Sequence, residues 1–355
     1  MADRDDSPNL QSAVREAWSK KSPIRLVGSG SKSFYGRFTQ VGEVLDLSGH
    51  RGIVDYQPTE LVITARAGTP LREIEETLYA QGQMLPFEPP SFDSGGTLGG
   101  AIAAGLSGPR RPWGGSPRDL LLGVKLLDGK GRILKFGGQV MKNVAGYDVS
   151  RLMAGALGTL GILLEVSVKV LPKPKEEIGI RFTASPDTAV TLVTRMLNEA
   201  MPITATCQNG DEYALRLACG AERAKQILSR YGISPGEQLP DTFWSEVRDH
   251  KHGFFSQQGP LWRLAVPPTA QLDVDEPVLS EWAGSQRWIY THRSEKEIRS
   301  QAAQQGGHAM LFRGGDREGE VFHPLHPRIA ELQQGLKRVF DPRGILNPGR
   351  LYVED

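Results

Sequence analysis

The sequence is densest in glycine over a stretch that begins Gly95-Gly96-Thr97-Leu98-Gly99-Gly100-Ala101-Ile102-Ala103-Ala104-Gly105-Leu106-Ser107-Gly108 and ends Gly155-Ala156-Leu157-Gly158-Thr159-Leu160-Gly161. Of the 41 glycines in the chain, 17 fall between Gly95 and Gly161. No three-residue period is present, and apolar runs lie between the glycines, so neither a collagen helix nor a flexible linker is indicated. A folded backbone without side chains offers its N–H groups at close range. The stretch therefore favours binding of an extended polyanionic ligand.

A second candidate phosphate loop lies nearer the N-terminus. Residues 24–27 are apolar and predict a short strand, which runs directly into Gly28-Ser29-Gly30-Ser31-Lys32. The loop matches neither the dinucleotide fingerprint nor the Walker motif, because the glycine spacing differs from both. From these residues alone, a plain glycine–serine hairpin loop is the favoured alternative.

Composition excludes several classes of function. The 355 residues predict two domains, and a net charge of +1 gives no global field for nucleic acid. Cys207 and Cys219 are the only cysteines, so the chain lacks the ligands for an iron–sulfur cluster. The acidic N-terminus has no apolar signal region, and no apolar run reaches the length of a transmembrane helix. We therefore expect a cytoplasmic protein without a transmembrane segment.

The pattern of apolar residues predicts an α+β fold. Helices alternate with short strands up to a proline-rich linker, Pro172-Lys173-Pro174-Lys175. Residues 176–318 then predict a small antiparallel sheet with helices on one face. Ile329, Leu332, Leu336 and Val339 mark a last helix, which is followed by a tail that ends Asn347-Pro348-Gly349-Arg350.

These segments together resemble FAD-linked oxidoreductases of the vanillyl-alcohol oxidase and p-cresol methylhydroxylase type. The matching segments are residues 27–32, 95–100, 158–162 and 340–349. The resemblance implies a two-part FAD-binding domain over residues 1–172, with subdomains at about 1–58 and 59–172. It also implies an α+β cap over residues 176–318 and a C-terminal helix and tail, 319–355, that return to the FAD domain. The short cap and residues 142–148 look most like the FAD-binding E subunits of bacterial glycolate oxidases.

The same resemblance implies which residues bind FAD. The loop at 28–32 and the start of the glycine-rich stretch would surround the diphosphate, while the terminal asparagine would approach the flavin ring. The alternative for the segment 347–349, less favoured once the resemblance is allowed, is a plain terminal turn. The implied FAD-binding residues are Gly28, Ser29, Gly30, Ser31, Lys32, Pro90, Gly96, Thr97, Gly99, Gly100, Ser107, Gly108, Gly161, Ile162 and Asn347.

Three departures from the family pattern affect the predicted chemistry. The first loop has no histidine and residues 1–206 have no cysteine, so FAD is expected to bind non-covalently. Leu157 replaces an acidic residue of the 2-hydroxy-acid dehydrogenases. The segment 307–315 lacks their metal-ligand motif, which leaves Arg313 and His308 as weak catalytic candidates. His323 and His326 lie in a proline-containing loop without ligand spacing, so no metal site is expected.

The leading hypothesis is therefore an FAD subunit of a multi-subunit glycolate oxidase or dehydrogenase, which converts glycolate to glyoxylate. This chain would transfer electrons beside a related catalytic FAD subunit and an iron–sulfur subunit, and the complex would place it at the periphery of the inner membrane. One alternative is a self-sufficient FAD-dependent oxidase of a small alcohol or hydroxy acid. Another is a structural assembly subunit with a vestigial flavin site.

Overall fold

The structure, a computed structural model, describes residues 3–39, 42–92, 95–138, 148–234 and 236–353. The chain divides into two compact units. The first comprises Met1–Ser107, Gly115–Lys173 and Arg317–Asp355, and the second comprises Gly108–Gly114 and Pro174–Asp316. Of the segment 142–148, which carries part of the family resemblance, residues 142–147 lie outside the described residues.

Ten helices are present in the described residues, and none of them is long and apolar enough to cross a membrane. Their bounds are α1 (Ser7–Lys20), α2 (Leu71–Tyr79), α3 (Leu98–Ala104), α4 (Arg111–Gly114), α5 (Pro117–Leu120), α6 (Pro186–Asn198), α7 (Ala221–Arg230), α8 (Phe243–Arg248), α9 (Glu295–Gln304) and α10 (Pro327–Phe340).

Seventeen strands are described, together with short 3₁₀ turns at Ser150–Met153, Gly253–Ser256 and Trp282–Gly284. The strands are β1 (Ile24–Val27), β2 (Glu43–Asp46), β3 (Ile53–Gln57), β4 (Val62–Arg66), β5 (Gln83–Met84), β6 (Leu121–Leu127), β7 (Ile133–Gly137), β8 (Ile162–Lys169), β9 (Leu171–Pro172), β10 (Ile178–Thr183), β11 (Ile203–Asn209), β12 (Glu212–Leu217), β13 (Glu237–Gln238), β14 (Leu261–Ala265), β15 (Val278–Glu281), β16 (Gln286–Tyr290) and β17 (His308–Arg313).

The first unit is built on an antiparallel sheet of order β3-β4-β8-β6-β7, beside a parallel β1-β2 pair. The alternation along β8 predicts a half-buried strand, but in the structure both of its faces are covered. Leu163 and Val166 belong to the core formed with α2 and α3, whereas Ile162 and Leu164 pack with the apolar face of α1. The central position of β8, paired with β4 on one side and β6 on the other, accounts for its burial.

The second unit contains one eight-stranded antiparallel sheet, of order β13-β10-β12-β11-β15-β16-β14-β17. Helices α6 and α7 bury their apolar stripes against it, as the periodicity predicts, with Val193, Met196 and Ile227 in the shared core. Ser294 caps α9 by accepting a hydrogen bond from the Glu297 N–H. The predicted α+β class is confirmed by this mixture of helices and antiparallel sheets.

Helix α10 forms where its apolar residues predict it, yet Ile329, Leu332 and Val339 are exposed. The helix is anchored instead by its C-terminal turn. Phe340 is buried against Phe136, and the Lys337 ammonium donates to carbonyl oxygens within the first unit. The chain that follows pairs with β1 through the Leu346–Ile24 bridge, so the tail is fixed beside the first candidate loop.

Candidate functional site

The first unit contains a cavity of about 410 Å³. Its walls come from β1 and the loop after it, the start of α3, the turn before β8, and the C-terminal tail. Most of the predicted FAD-binding residues line it, namely Gly28, Ser29, Gly30, Ser31, Lys32, Thr97, Gly99, Gly100, Gly161, Ile162 and Asn347.

The loop at residues 28–32 offers main-chain donors to this cavity. Gly30 has a φ of 77°, a left-handed conformation that favours glycine. The Ser29 hydroxyl donates to the Gly95 carbonyl at 3.2 Å, which ties the loop to the glycine-rich stretch. Within the described part of the chain, the N–H groups of Gly30 and Ser31 donate no hydrogen bond. Donors of this kind suit a phosphate ligand.

Two adjacent glycines at the start of α3 have different roles. A Cβ at Gly99 would lie 2.5 Å from the Ala67 Cβ and 2.9 Å from its carbonyl oxygen, so this glycine allows α3 to pack on the chain after β4. A Cβ at Gly100 would meet only the Thr97 hydroxyl, at 3.0 Å. That hydroxyl caps α3 by accepting from the Gly100 N–H at 3.1 Å. Gly100 therefore keeps space free on the cavity side.

Three cations line the cavity: Arg25, Lys32 and Arg350. Among the described residues that line it, there is no aspartate and no glutamate. Burial lowers the pKa of Arg350, and the charge of Arg25 lowers it further. An electropositive cavity of this kind attracts an anionic ligand. Sequence reasoning missed both arginines, although Arg350 directly follows the terminal asparagine–proline–glycine motif.

Asn347 reaches the cavity, but its side-chain amide is engaged by the protein. Its Oδ1 accepts from the Leu26 N–H at 2.8 Å, and its Nδ2 donates to the Leu157 carbonyl at 2.7 Å. Its φ of 42° is left-handed, a conformation that asparagine tolerates better than most residues. Asn347 thus fastens β1 to the turn before β8. Leu157, which replaces an acidic residue of the hydroxy-acid dehydrogenases, lies in the same cavity wall.

The remaining predicted residues lie elsewhere. Pro90 and Ser107 are in the first unit but do not line the cavity, and the buried Ser107 hydroxyl makes no hydrogen bond within the described chain. A Cβ at Gly96 would meet the side chains of Leu71 at 2.7 Å and Lys32 at 3.2 Å. Gly108 belongs to the second unit, where its carbonyl accepts from the Trp282 indole at 3.1 Å.

The weak catalytic candidates do not line the cavity. His308 and Arg313 lie at the two ends of β17 in the second unit, with His308 exposed and Arg313 partly buried. His323 is partly buried, and His326 precedes α10 as its N-cap residue. Across the described ranges, no three His, Cys, Asp or Glu side chains lie together as a metal site.

The cavity fits the FAD that the sequence resemblance implies. FAD carries a diphosphate, which the unpaired N–H groups of the glycine loop and the nearby Lys32 can bind. Gly100 lines the same cavity and adds no side chain to its wall. Without a carboxylate in the described lining, nothing there opposes the two phosphate charges.

Comparison with known proteins agrees with this assignment. Residues 5–137 match the family model described as FAD binding domain. Glycolate oxidase subunit GlcE of Escherichia coli is 43% identical over 351 residues, which cover 99% of this chain and 98% of that protein. Glycolate oxidase subunit GlcD of Bacillus subtilis is 33% identical over 154 residues, 43% of this chain and 33% of that protein.

The fold is also found in solved structures. An alkyldihydroxyacetonephosphate synthase superposes with a TM-score of 0.70 over 97% of this chain and 76% of its own, at 16% identity. That likeness concerns the fold alone. The near full-length identity with GlcE shows more: the chain belongs to the family of the glycolate oxidase subunit GlcE and carries an FAD binding domain.

Proposed function

We propose that this chain is the FAD-containing electron-transfer subunit of a multi-subunit glycolate oxidase. The observation that carries the proposal is the cavity of the first unit, which combines three cations and free main-chain donors with the absence of carboxylates from its described lining. Similarity to GlcE over almost the whole chain supports glycolate, a 2-hydroxy acid, as the substrate of the complex.

The side chains at the cavity support a role in electron transfer more than in substrate oxidation. Oxidation of a 2-hydroxy acid requires a base for the hydroxyl proton. Among the described residues lining the cavity there is no histidine, aspartate or glutamate that could act as this base. Bound FAD supplies the redox chemistry, accepting electrons and passing them on. The residues that line the cavity would bind the cofactor, and none of the described ones is a carboxylate.

Two partner subunits complete the proposal. A related FAD subunit would carry out the oxidation, and the similarity to a GlcD sequence supports a common origin of the two subunits. An iron–sulfur subunit would carry electrons onward, because Cys207 is buried and Cys219 is the only other cysteine of this chain. The complex would operate in the cytoplasm, peripheral to the inner membrane.

FAD is proposed to bind without a covalent bond. The described lining of the cavity contains neither histidine nor cysteine, the residues that attach FAD in many relatives. Acid precipitation of the purified, flavin-loaded chain should leave all of the flavin in the supernatant. A yellow pellet would show a covalent bond.

The division of labour is tested with the isolated chain and with the reconstituted complex. The isolated chain should show a flavin spectrum that glycolate does not bleach under anaerobic conditions at useful rates. Bleaching should appear when the partner subunits are added. Rapid bleaching of the isolated chain would support a self-sufficient dehydrogenase instead, and a chain that takes up no FAD would support a structural subunit with a vestigial site.

A further inference from the structure

Residues 33–39, called here the cavity loop, are held by Arg350. Ser33, Phe38 and Thr39 of this loop line the cavity beside Arg350 itself. The Arg350 guanidinium donates to the Ser33 carbonyl at 2.9 Å, to the Tyr35 carbonyl at 2.6 Å and to the Arg37 carbonyl at 2.7 Å. One side chain thus bonds to the carbonyl of every second residue from Ser33 to Arg37.

The loop returns the same kind of contact. The Arg37 guanidinium donates to the carbonyls of Gly319 at 2.8 Å, Gly349 at 2.7 Å and Glu318, and the Arg37 N–H donates to the Arg350 carbonyl at 2.9 Å. Arg37 and Arg350 lie on separate segments, and each therefore donates hydrogen bonds to the main chain of the other's segment.

A third arginine closes the arrangement. The Arg317 guanidinium donates to the Gly36 carbonyl, and its own carbonyl accepts from the Phe38 N–H at 2.7 Å. Burial, followed by the charge of Arg350, lowers the pKa of Arg317 to about 10. Gly36 has a φ of 84°, and a Cβ there would lie 2.8 Å from the Leu157 side chain, so this close-packed turn of the loop requires glycine.

This cluster is unusual because partly buried cations repel each other at close range. In the described part of the chain, Arg37 and Arg350 form no ion pair with a carboxylate, so charge neutralisation does not explain them. Their hydrogen bonds explain why both residues are arginines. The five N–H groups of a guanidinium lie in a fixed plane and can bridge several carbonyls. A lysine ammonium lacks this planar geometry.

We propose that Arg37, Arg317 and Arg350 form a clamp that holds the cavity loop over bound FAD, with Arg350 as the positioning residue that limits FAD release. The proposal rests on the proposed function insofar as FAD occupies the cavity. The clamp joins the loop to the tail that follows α10, and both contribute residues to the wall of the cavity. Release of the cofactor then requires several charge-assisted hydrogen bonds to open together.

The experiment compares the full-length protein with Arg350→Lys and Arg350→Gln. The control variant is Arg343→Lys, which removes another arginine of the same tail. Arg343 stacks on Trp18 at 4.1 Å and donates to the Trp18 carbonyl, away from the cavity lining. Recovery of flavin fluorescence gives the FAD release rate, and thermal unfolding of the FAD-free protein gives a stability reference.

We expect both Arg350 variants to release FAD at least about tenfold faster, since hydrogen bonds from a charged donor are lost. Arg343→Lys should release FAD at the wild-type rate. Wild-type release from Arg350→Lys would overturn the requirement for guanidinium. Faster release matched by an equal change in Arg343→Lys, or explained fully by lower stability of the FAD-free protein, would reduce the cluster to a general structural role and overturn the proposal.

Hydrogen exchange of the FAD-free protein separates this test from the proposed function. The N–H groups of Arg37 and Phe38 are protected by the clamp, so they should exchange faster in Arg350→Lys than in the wild type. If the wild type bound no FAD, the proposed function would fail while this exchange result would still decide whether the clamp orders the loop. Unchanged exchange at both positions would overturn the clamp.

Discussion

Three cations of the first unit, Arg25, Lys32 and Arg350, line a cavity whose described lining has no carboxylate, whereas two buried arginines of the second unit lie beside one. In the second unit, Arg110 donates to both oxygens of Glu177, at 2.7 and 2.6 Å. Arg216 lies 3.8 Å from the same carboxylate and donates to the Thr204 hydroxyl at 3.0 Å. Arg110 and Arg216 are 4% and 7% exposed, so both charges are buried with their counter-ion.

The difference distinguishes charges that stabilise the fold from charges that can bind a ligand. A buried charge that has its partner within the protein stabilises one arrangement of the chain and attracts nothing further. A cation that lines a cavity can also bind an anionic ligand. The buried Glu281 carboxylate is likewise held within the protein, since it accepts hydrogen bonds from the neutral Gln286 amide at 3.0 Å and the Trp288 indole at 2.7 Å. The comparison therefore assigns anion binding to the first unit.

The largest expected effect comes from placing a carboxylate in the cavity. Gly100→Asp would direct a negative charge into the space that Gly100 keeps open. At about 4 Å from a phosphate, repulsion near a protein surface costs about 4 kcal/mol, so FAD affinity should fall by roughly 1000-fold. Titration of the FAD-free protein with FAD, followed by flavin fluorescence, measures the change.

Gly253→Asp is the matched control for this variant. A Cβ at Gly253 meets no atom within 4 Å, and the residue is exposed in the second unit. Its FAD affinity should equal that of the wild type. If folded Gly100→Asp bound FAD normally, the cofactor would have to lie elsewhere. The contrast between the two units would then not identify the FAD site.

The next effect concerns the wall of the cavity. Asn347→Ala removes two hydrogen bonds and leaves the Leu26 N–H and the Leu157 carbonyl without their partner. Each loss costs about 1–1.5 kcal/mol, so the free energy of unfolding should fall by about 3 kcal/mol. Urea unfolding of the FAD-free protein measures this loss.

Asn347→Asp tests whether the amide acts as a fastener. The aspartate keeps an oxygen for the Leu26 N–H but cannot donate to the Leu157 carbonyl, so an intermediate loss is expected. Wild-type stability of the alanine variant, with FAD affinity alone reduced, would mean that Asn347 contacts the flavin and does not fasten the wall.

A smaller loss is expected where a glycine serves packing. Gly99→Ala would press its methyl group against Ala67, including main-chain atoms that cannot move freely. Overpacking of this kind costs about 2 kcal/mol. The melting temperature of the FAD-free protein should fall, while FAD affinity measured well below that temperature should change little. A selective loss of affinity would place the cofactor against Gly99 itself.

The sequence could predict those parts of the site that are local in the chain. The strand and loop over residues 24–32 are encoded by neighbouring residues, so their place at the cavity was foreseeable. The reason for Gly99 was not, because its constraint is Ala67, a residue from a distant turn. Arg25 was equally hidden, since a strand residue gives no sign that it will face Arg350 from the far end of the chain.

The grouping of Gly108 could not be read from the sequence either. It follows the glycine-rich stretch without interruption, and its predicted contact with FAD stays a prediction. The segment that it begins groups with the second unit, through the Trp282 indole at Gly108 and Glu177 at Arg110. Both partners come from more than 60 residues further along the chain, beyond any local pattern.

The smallest expected effect is the pH dependence of stability that the buried ion pair of the second unit contributes. Burial alone would raise the pKa of Glu177, but the charge of Arg216 and the hydrogen bond from Arg110 outweigh it and lower the pKa below 4.5. A lowered pKa in the folded state means stability that is present above the unfolded pKa and is lost as pH falls through the folded value. Between pH 6 and about pH 3, this group should therefore contribute part of the loss of stability on acidification.

Urea unfolding of the FAD-free protein at a series of pH values, followed by tryptophan fluorescence, measures the slope. Glu177→Gln cannot titrate, so its stability should depend less steeply on pH over this range, whatever its stability at neutral pH. Glu212→Gln is the control, because that exposed glutamate lies 3.5 Å from Arg181 at the surface and should contribute little. Equal slopes in the wild type and Glu177→Gln would show that the buried pair contributes no more than a surface pair. The second unit would then owe its structure to its apolar core alone.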